Sequence, residues 1–227
     1  MKTLVTTEML RRIADSYGVR TCGNLQVGYK YIAETMDAQG PDKFVFGAEE
    51  SHGYLVGQYV RDKDAVVASM LMAELAAQLK SQNKTLYEKL ESLWWQHGYH
   101  FEKQLNVTMT GSEGMAQMKQ LMSRLRSTPP TSLAGMKVAR VRDYGTLTTA
   151  IPGQAPQPLD GPRGDMVILD FAEEGNYVAV RPSGTEPKVK FYMFTYVPAE
   201  QLHSLEAARD TMQQRIAALE AEFRDEL

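Results

Sequence analysis

The stretch Arg181-Pro182-Ser183-Gly184-Thr185-Glu186-Pro187-Lys188 runs directly into Val189–Tyr196, where Val189, Phe191, Met193 and Thr195 alternate with Lys190, Tyr192, Phe194 and Tyr196. Alternation with period two predicts a β-strand, so an irregular, proline-flanked loop here feeds a strand. Ser183 and Thr185 each offer a hydroxyl donor, and Gly184 admits close approach of the backbone to a ligand. Arg181 presents a rigid fork of donors matched to an oxyanion. Two readings stand on composition alone: a phosphate loop, or a connecting turn with an exposed arginine.

Working outward from that strand, Pro198 leads into a helix whose apolar stripe is Leu202, Leu205, Met212, Ile216, Leu219 and Phe223. Upstream, Met166–Phe171 and Tyr177–Val180 read as strands paired across Glu173-Glu174-Gly175-Asn176. Phe101–Met109 and Met136–Arg142 are further strands, and Met115, Met118, Leu121, Met122 and Leu125 line one face of an intervening helix, an ordinary core stripe. Gly145–Asp165, with four prolines among glycines, reads as a long loop with little structure of its own. The order β-α-β-β-β-α predicts an antiparallel sheet with helices on one face.

The part before it has a different grammar. Leu4 and Val5 give way to Met9, Leu10, Ile13, Ala14 and Tyr17 at helical spacing, with Thr6 or Thr7 as N-cap and Gly18 as the stop. Val27-Gly28-Tyr29-Lys30 opens a second short helix, and Phe44-Val45-Phe46 reads as a buried strand. Strand, helix, helix, strand suggests an α/β layer with parallel strands. Gly47-Ala48-Glu49-Glu50-Ser51-His52-Gly53 follows, at the carboxyl end of a strand where ligands collect in such sheets. A helix over Ala65–Lys80 follows Asp62-Lys63-Asp64. Thr85-Leu86-Tyr87-Glu88 is a capping box for a helix ending near Gly98, and Trp94-Trp95 are read as packing residues. The boundary between the two parts falls at 96/97.

Whole-chain properties narrow the function classes. The 227 residues are 43% hydrophobic and 23% charged, as in a soluble globular protein, and the net charge of −3 supplies no field for nucleic acid. Basic residues do not interleave with aromatics, so no nucleic-acid partner is expected. No apolar run of about 18 residues predicts a membrane span. The single cysteine, Cys22, excludes an internal disulfide and fits a cytoplasmic location. The abrupt entry into structure at Met1 is that of a piece of a longer chain.

Three segments taken together, Gly47–Gly53, Asp62-Lys63-Asp64-Ala65 and Arg181–Lys188, resemble the α-D-phosphohexomutases, the family of phosphoglucomutases and phosphomannomutases. The likeness extends to Lys2–Thr7 and Val27–Ile32. Members have four domains around one cleft, and the resemblance covers the back half. It implies an incomplete α/β sugar-binding third domain at 1–96. An antiparallel-sheet, helix-covered, TATA-box-binding-protein-like fourth domain would follow at 97–227. The family's phosphorylated serine sits in a Ser-His-Asn-Pro type motif and its magnesium in an Asp-Gly-Asp type loop, neither of which occurs here.

The resemblance also assigns roles. Glu49 and Ser51 would bind sugar hydroxyls, and Gly28 and Tyr29 would contact the substrate, with Val27 standing where relatives often have threonine. Lys63 matches a lysine proposed as general acid/base. It could equally hold phosphate or form an ion pair. His52 stands where relatives have glycine. Arg181, Ser183, Gly184 and Thr185 would grip the non-reacting phosphate, with Lys188 and Lys190 as further cations and Glu186 as a backbone or lysine partner. The implied partners are hexose phosphates and the missing N-terminal domains. Magnesium in the complete enzyme and glucose 1,6-bisphosphate, or a similar intermediate, are the implied cofactors. The alternative is a non-catalytic sugar-phosphate-binding module.

Overall fold

The first residues are held on both sides by backbone hydrogen bonds. In the computed structural model, which describes residues 1–184 and 186–225, Lys2 and Leu4 donate to the carbonyls of Cys22 and Leu25 at 2.9 and 2.8 Å. Ala48 donates to the Met1 carbonyl at 3.1 Å. Parallel bridges Lys2↔Ala48 and Thr3↔Leu25 make this a narrow parallel layer. Lys2 is buried inside it, paired with Glu8 at 2.7 Å and donating to the Thr6 carbonyl at 2.8 Å. A buried cation is tolerable only when so compensated.

This layer belongs to the first of two compact units, Met1–Gly98; the second is Tyr99–Leu227. In the first, α1 (Met9–Ser16) starts where Thr7 Oγ1 accepts from the Met9 amide at 3.2 Å, and it stops at Gly18, whose φ of 66° favours glycine. Helix α2 (Tyr29–Gln39) buries Tyr29, Ile32 and Met36 against Phe44 and Leu55. Strands β1 (Gly47–Glu49) and β2 (Gly53–Leu55) form a tight hairpin that sends the chain toward α3 (Ala65–Ser81). Asp64 caps α3 by accepting from the Val66 and Val67 amides. The Thr85–Glu88 capping box opens α4 (Leu86–His97), with both reciprocal bonds formed.

The second unit is built on one antiparallel sheet in the order β3-β10-β9-β8-β5-β6-β7, with β4 (Ser132–Leu133) paired to β5 off that path. Its strands are β3 (Tyr99–Thr108), β5 (Met136–Asp143), β6 (Thr148–Ala150), β7 (Gln157–Pro158), β8 (Val167–Phe171), β9 (Tyr177–Pro182) and β10 (Lys188–Val197). Helices α5 (Gly111–Ser127) and α6 (Leu205–Asp225) supply Leu121, Met122, Leu125, Ile216, Leu219 and Phe223 to one core. There they meet Val189, Phe191 and Met193 of β10 and Val178 and Val180 of β9. The predicted class, an α/β unit followed by a helix-covered antiparallel sheet, is the one observed.

Four local expectations change. Phe44-Val45-Phe46 is not a strand; the strand begins at Gly47, and Val45 is 60% exposed. The backbone of this segment instead receives the Met1 ammonium at the Phe46 carbonyl, 2.6 Å away. The 145–165 loop carries β6 and β7, short strands that extend the sheet edge from β5. Met115 is exposed rather than core, one turn too early on α5 to reach the sheet, and Trp95 is exposed while Trp94 meets Tyr87 edge-on at 6.3 Å.

Phe191→Ala should cost the second unit about 3–5 kcal/mol in urea unfolding, since its ring is fully buried against Phe223 at 4.5 Å. Met115→Ala should change stability by less than about 0.5 kcal/mol, and equal losses for the two would contradict the core drawn here.

Candidate functional site

The sequence-predicted site residues fall on two separate structures, one in each unit. In the first, Glu49 ends β1 with its side chain buried, 4% exposed. A buried carboxylate needs compensation, and it has two partners. The Gly28 amide donates to Oε1 at 2.8 Å, and Lys63 Nζ stands 3.7 Å from Oε2. Gly28 can aim that amide because its φ of 128° is open to glycine. The bond ties the N-terminus of α2 to the end of β1, so the substrate loop predicted around Gly28 and the sugar motif form one cluster.

Lys63 reaches Glu49 across Gly53. A Cβ at Gly53 would lie 2.5 Å from Lys63 Cδ and 3.3 Å from Glu49 Cβ, so the lysine stem needs glycine there. Its ammonium also stands 5.8 Å from the centre of the Tyr29 ring. The flanking acids are engaged elsewhere: Asp62 accepts from the Lys63 amide, and Asp64 caps α3. Lys63 thus stands within ion-pair range of Glu49, the acid nearest its ammonium.

Tyr29 is buried, and its hydroxyl has no hydrogen-bond partner among the described residues. Burial first, then the negative charges of Glu49 and Asp62, push its phenol well above the ordinary 10.0. Ser51 is exposed on the turn between β1 and β2, next to His52, whose φ of 61° is left-handed. Histidine tolerates that region better than branched residues do, so the substitution for glycine keeps the turn.

In the second unit the loop is the hairpin between β9 and β10. Arg181 and Lys190 are directly paired across the two strands, so their side chains share a face, the one opposite the Val189–Phe191 core. Among the described residues Arg181 has no ion-pair partner. Lys188 is paired with Glu186 at 2.6 Å, the lysine partnership expected of that acid. The Ser183 amide closes the hairpin on the Lys188 carbonyl at 2.8 Å, and a Cβ at Gly184 would meet nothing within 4 Å. Thr185, assigned to the phosphate grip, lies outside the described residues.

Register adds two residues that sequence reasoning missed. Asn106 pairs with Lys190 and Thr108 with Lys188, which puts both on the same face of β3 as the cations. Their signal was the polar alternation Gln104, Asn106, Thr108 in β3. It becomes informative only once β3 is known to lie beside β10.

Comparison with known proteins follows the same division. Residues 1–97 match the family model described as phosphoglucomutase/phosphomannomutase, alpha/beta/alpha domain III. The chain is 34% identical over 195 residues to a phosphoglucomutase of Staphylococcus haemolyticus, covering 85% of this chain and 35% of the relative. It is 36% identical over 168 residues to one of Staphylococcus epidermidis, covering 73% and 30%. Among solved structures, the open form of the phosphoglucomutase parafusin from Paramecium superposes over 100% of this chain and 36% of its own, with TM-score 0.65 at 19% identity. A putative phosphomannomutase from Thermus thermophilus matches with TM-score 0.52 at 20% identity, over 93% of this chain and 36% of its own. These two likenesses bear on the fold alone.

Residues 1–97 thus form a domain of the class that these mutases share. Those residues belong to the phosphoglucomutase/phosphomannomutase domain III family, and the chain spans about a third of the length of the curated relatives it matches. Among the described residues, no helix is long and apolar enough to cross a membrane.

The raised Tyr29 value has a consequence for stability. A phenol that holds its proton more tightly when folded contributes fully at and below the unfolded value, and loses that contribution as pH rises past 10.0. Unfolding free energy should therefore begin to drop as pH rises through about 10 and go on dropping above it, and Tyr29→Phe should lessen the drop. An equal drop in the variant would show that Tyr29 is not buried as described.

Proposed function

We propose that this chain is the substrate-gripping part of an enzyme that interconverts hexose 1-phosphate and hexose 6-phosphate. The observation that carries the reading is the cross-strand pair Arg181 and Lys190. It places two cations on one face at the loop end of a hairpin, with Arg181 not neutralised by any described acid and with bare space beside Gly184. Such an end suits a phosphate monoester, which accepts charge-assisted hydrogen bonds from a guanidinium fork. Glu49, held by the Gly28 amide, supports the sugar half: its free lone pairs accept from ring hydroxyls, and exposed Ser51 both donates and accepts.

In the complete enzyme, a phosphoserine outside these residues gives its phosphoryl group to the sugar. The resulting bisphosphate, glucose 1,6-bisphosphate for glucose, turns over and returns the other phosphoryl group. The work of this chain is to hold the hydroxyls and the phosphate that is not reacting, in both orientations of the sugar. Arg181, Ser183, Gly184 and Thr185, with Lys188 and Lys190, form the phosphate grip; Glu49, Ser51, Gly28 and Tyr29 form the sugar grip. The reading gives Lys63, 3.7 Å from Glu49, the exchange of a proton with a sugar hydroxyl that Glu49 binds, and that short distance supports it. Magnesium supplies charge stabilisation to the moving phosphoryl group in such enzymes. Among the described residues there is no cluster of three or more His, Cys, Asp or Glu side chains that could hold a metal ion. The protein acts in the cytoplasm, with hexose phosphates and the remaining domains of the enzyme as its partners.

Binding is the test. Titration with glucose 1-phosphate, mannose 1-phosphate and inorganic phosphate should shift the backbone amide signals of 181–190 with all three ligands, and those of 28 and 49–53 with the sugars only. Arg181→Ala should weaken binding of all three by about tenfold or more, given about 1.5–3 kcal/mol for each charged hydrogen bond; unchanged affinity would remove the phosphate assignment. Glu49→Gln should narrow the discrimination between glucose and mannose phosphates while leaving inorganic phosphate binding intact. Equal losses on phosphate and sugar phosphate would count against the sugar assignment.

A further inference from the structure

We propose that Glu186 is a release residue of the phosphate loop: its carboxylate competes with bound phosphate for Lys188 and so hastens dissociation. The inference rests on the phosphate-loop reading above and adds a function to an acid that such a loop would not otherwise keep. A carboxylate beside a phosphate repels it, yet here one is built into the turn.

The turn is made to hold this pair. The Lys188 amide donates to the Glu186 carbonyl at 2.8 Å, a two-residue closure around Pro187. Proline's fixed φ suits the middle of such a γ-turn. The Pro187 carbonyl accepts from the Met109 amide at 2.7 Å, and the Lys188 carbonyl accepts from Ser183 at 2.8 Å. Three backbone bonds therefore pin the residues on either side of Pro187, and the two side chains meet at 2.6 Å. The hydrogen bond from Lys188, with the positive charges of Lys188 and Lys190, holds the Glu186 carboxyl below the usual carboxylate range, so the competitor is charged at neutral pH.

The competition is local to one cation. Arg181 pairs with no described acid and Lys190 lies across from it, so an incoming phosphate first meets two available cations. Full capture requires Lys188 to leave Glu186. Release runs in reverse: as Lys188 swings back to Glu186, the phosphate loses one contact before it loses the others. A loop that must let go of one phosphate and take up the other on the same sugar gains from such stepwise exchange. Because the pair is exposed, its strength is modest and the expected effect is a few-fold.

The experiment measures affinity and dissociation rate of glucose 1-phosphate on the 227-residue chain and its variants, at a pH near 8 where the ester is a dianion. Glu186→Gln should tighten binding about two- to fivefold, with most of the gain in slower dissociation. Lys188→Gln should weaken binding, and adding Glu186→Gln to it should then change little, because the competitor acts through that lysine. Unchanged or weaker binding by Glu186→Gln overturns the proposal. So does an equal gain in the Lys188→Gln background, which would mark a general field effect. If glucose 1-phosphate shifts none of the 181–190 amides in the unsubstituted chain, the phosphate-loop reading itself falls. If it shifts them and Arg181→Ala abolishes the response, a null result for Glu186→Gln rejects this inference alone.

Discussion

Strand β10 is hydrogen-bonded along both edges, over all ten of its residues to β3 and over six to β9, and the second unit follows from that constraint. With neighbours on both sides, side chains at alternate positions have fixed destinations. Val189, Phe191 and Met193 enter the helix-covered core, and Lys190 emerges beside Arg181. A slip of one residue would drive Lys190 into that core and Phe191 out of it, at a cost no local interaction could offset. The phosphate hairpin is therefore positioned by the core and not by its own loop residues. The opposite face is mostly buried too, with Tyr177 and Phe194 stacked at 4.3 Å and Arg142 near Tyr177, its guanidinium paired in bidentate fashion with Asp170.

Both candidate grips obey one electrostatic rule at short range. The chain as a whole is acidic, with net charge −3, so nothing long-ranged would gather phosphates. One cation in each is instead placed within a few ångströms of a specific carboxylate, Lys63 by Glu49 and Lys188 by Glu186. The two pairs differ in burial. Glu49 is enclosed beside a backbone donor and one lysine, whereas Glu186 is exposed and meets its lysine on the loop. A buried carboxylate is costly to disturb, while an exposed one exchanges partners readily.

Much of this was legible in the sequence where the signal is local. The capping box at Thr85, the stop at Gly18, the apolar stripe of α6 and, Met115 apart, that of α5 follow from spacing and cap chemistry, and they appear where expected. The phosphate hairpin was legible as a loop followed by an alternating strand. What escaped depends on partners distant in the chain. Phe44–Phe46 looks like a strand because it is apolar, but its backbone is used by the Met1 ammonium, and Val45 is left exposed. Strands β6 and β7 are two or three residues long and exist only because β5 offers an edge. Asn106 and Thr108 gain meaning from a register that no window of sequence contains. The same holds for Gly28, whose motif was visible but whose amide could not be assigned to Glu49, 21 residues away.

That last bond explains why two motifs far apart in the sequence behave as one. The Gly28 amide is among the first of α2, where helix donors have no partner in the preceding turn. Glu49 supplies one, and the helix N-terminus in turn favours a negative charge at that point. The same carboxylate then sets the place of Lys63, whose stem fits only because Gly53 carries no side chain. Three small structural facts, a helix start, a strand end and a glycine, thus hold an acid, a base and a phenol in one cluster. Removing the Glu49 side chain would leave an unpartnered donor at the helix start and release Lys63 to solvent, so the cluster stands or falls as a unit. That interdependence fixes the geometry of the cluster, because a change at one member is resisted by the others.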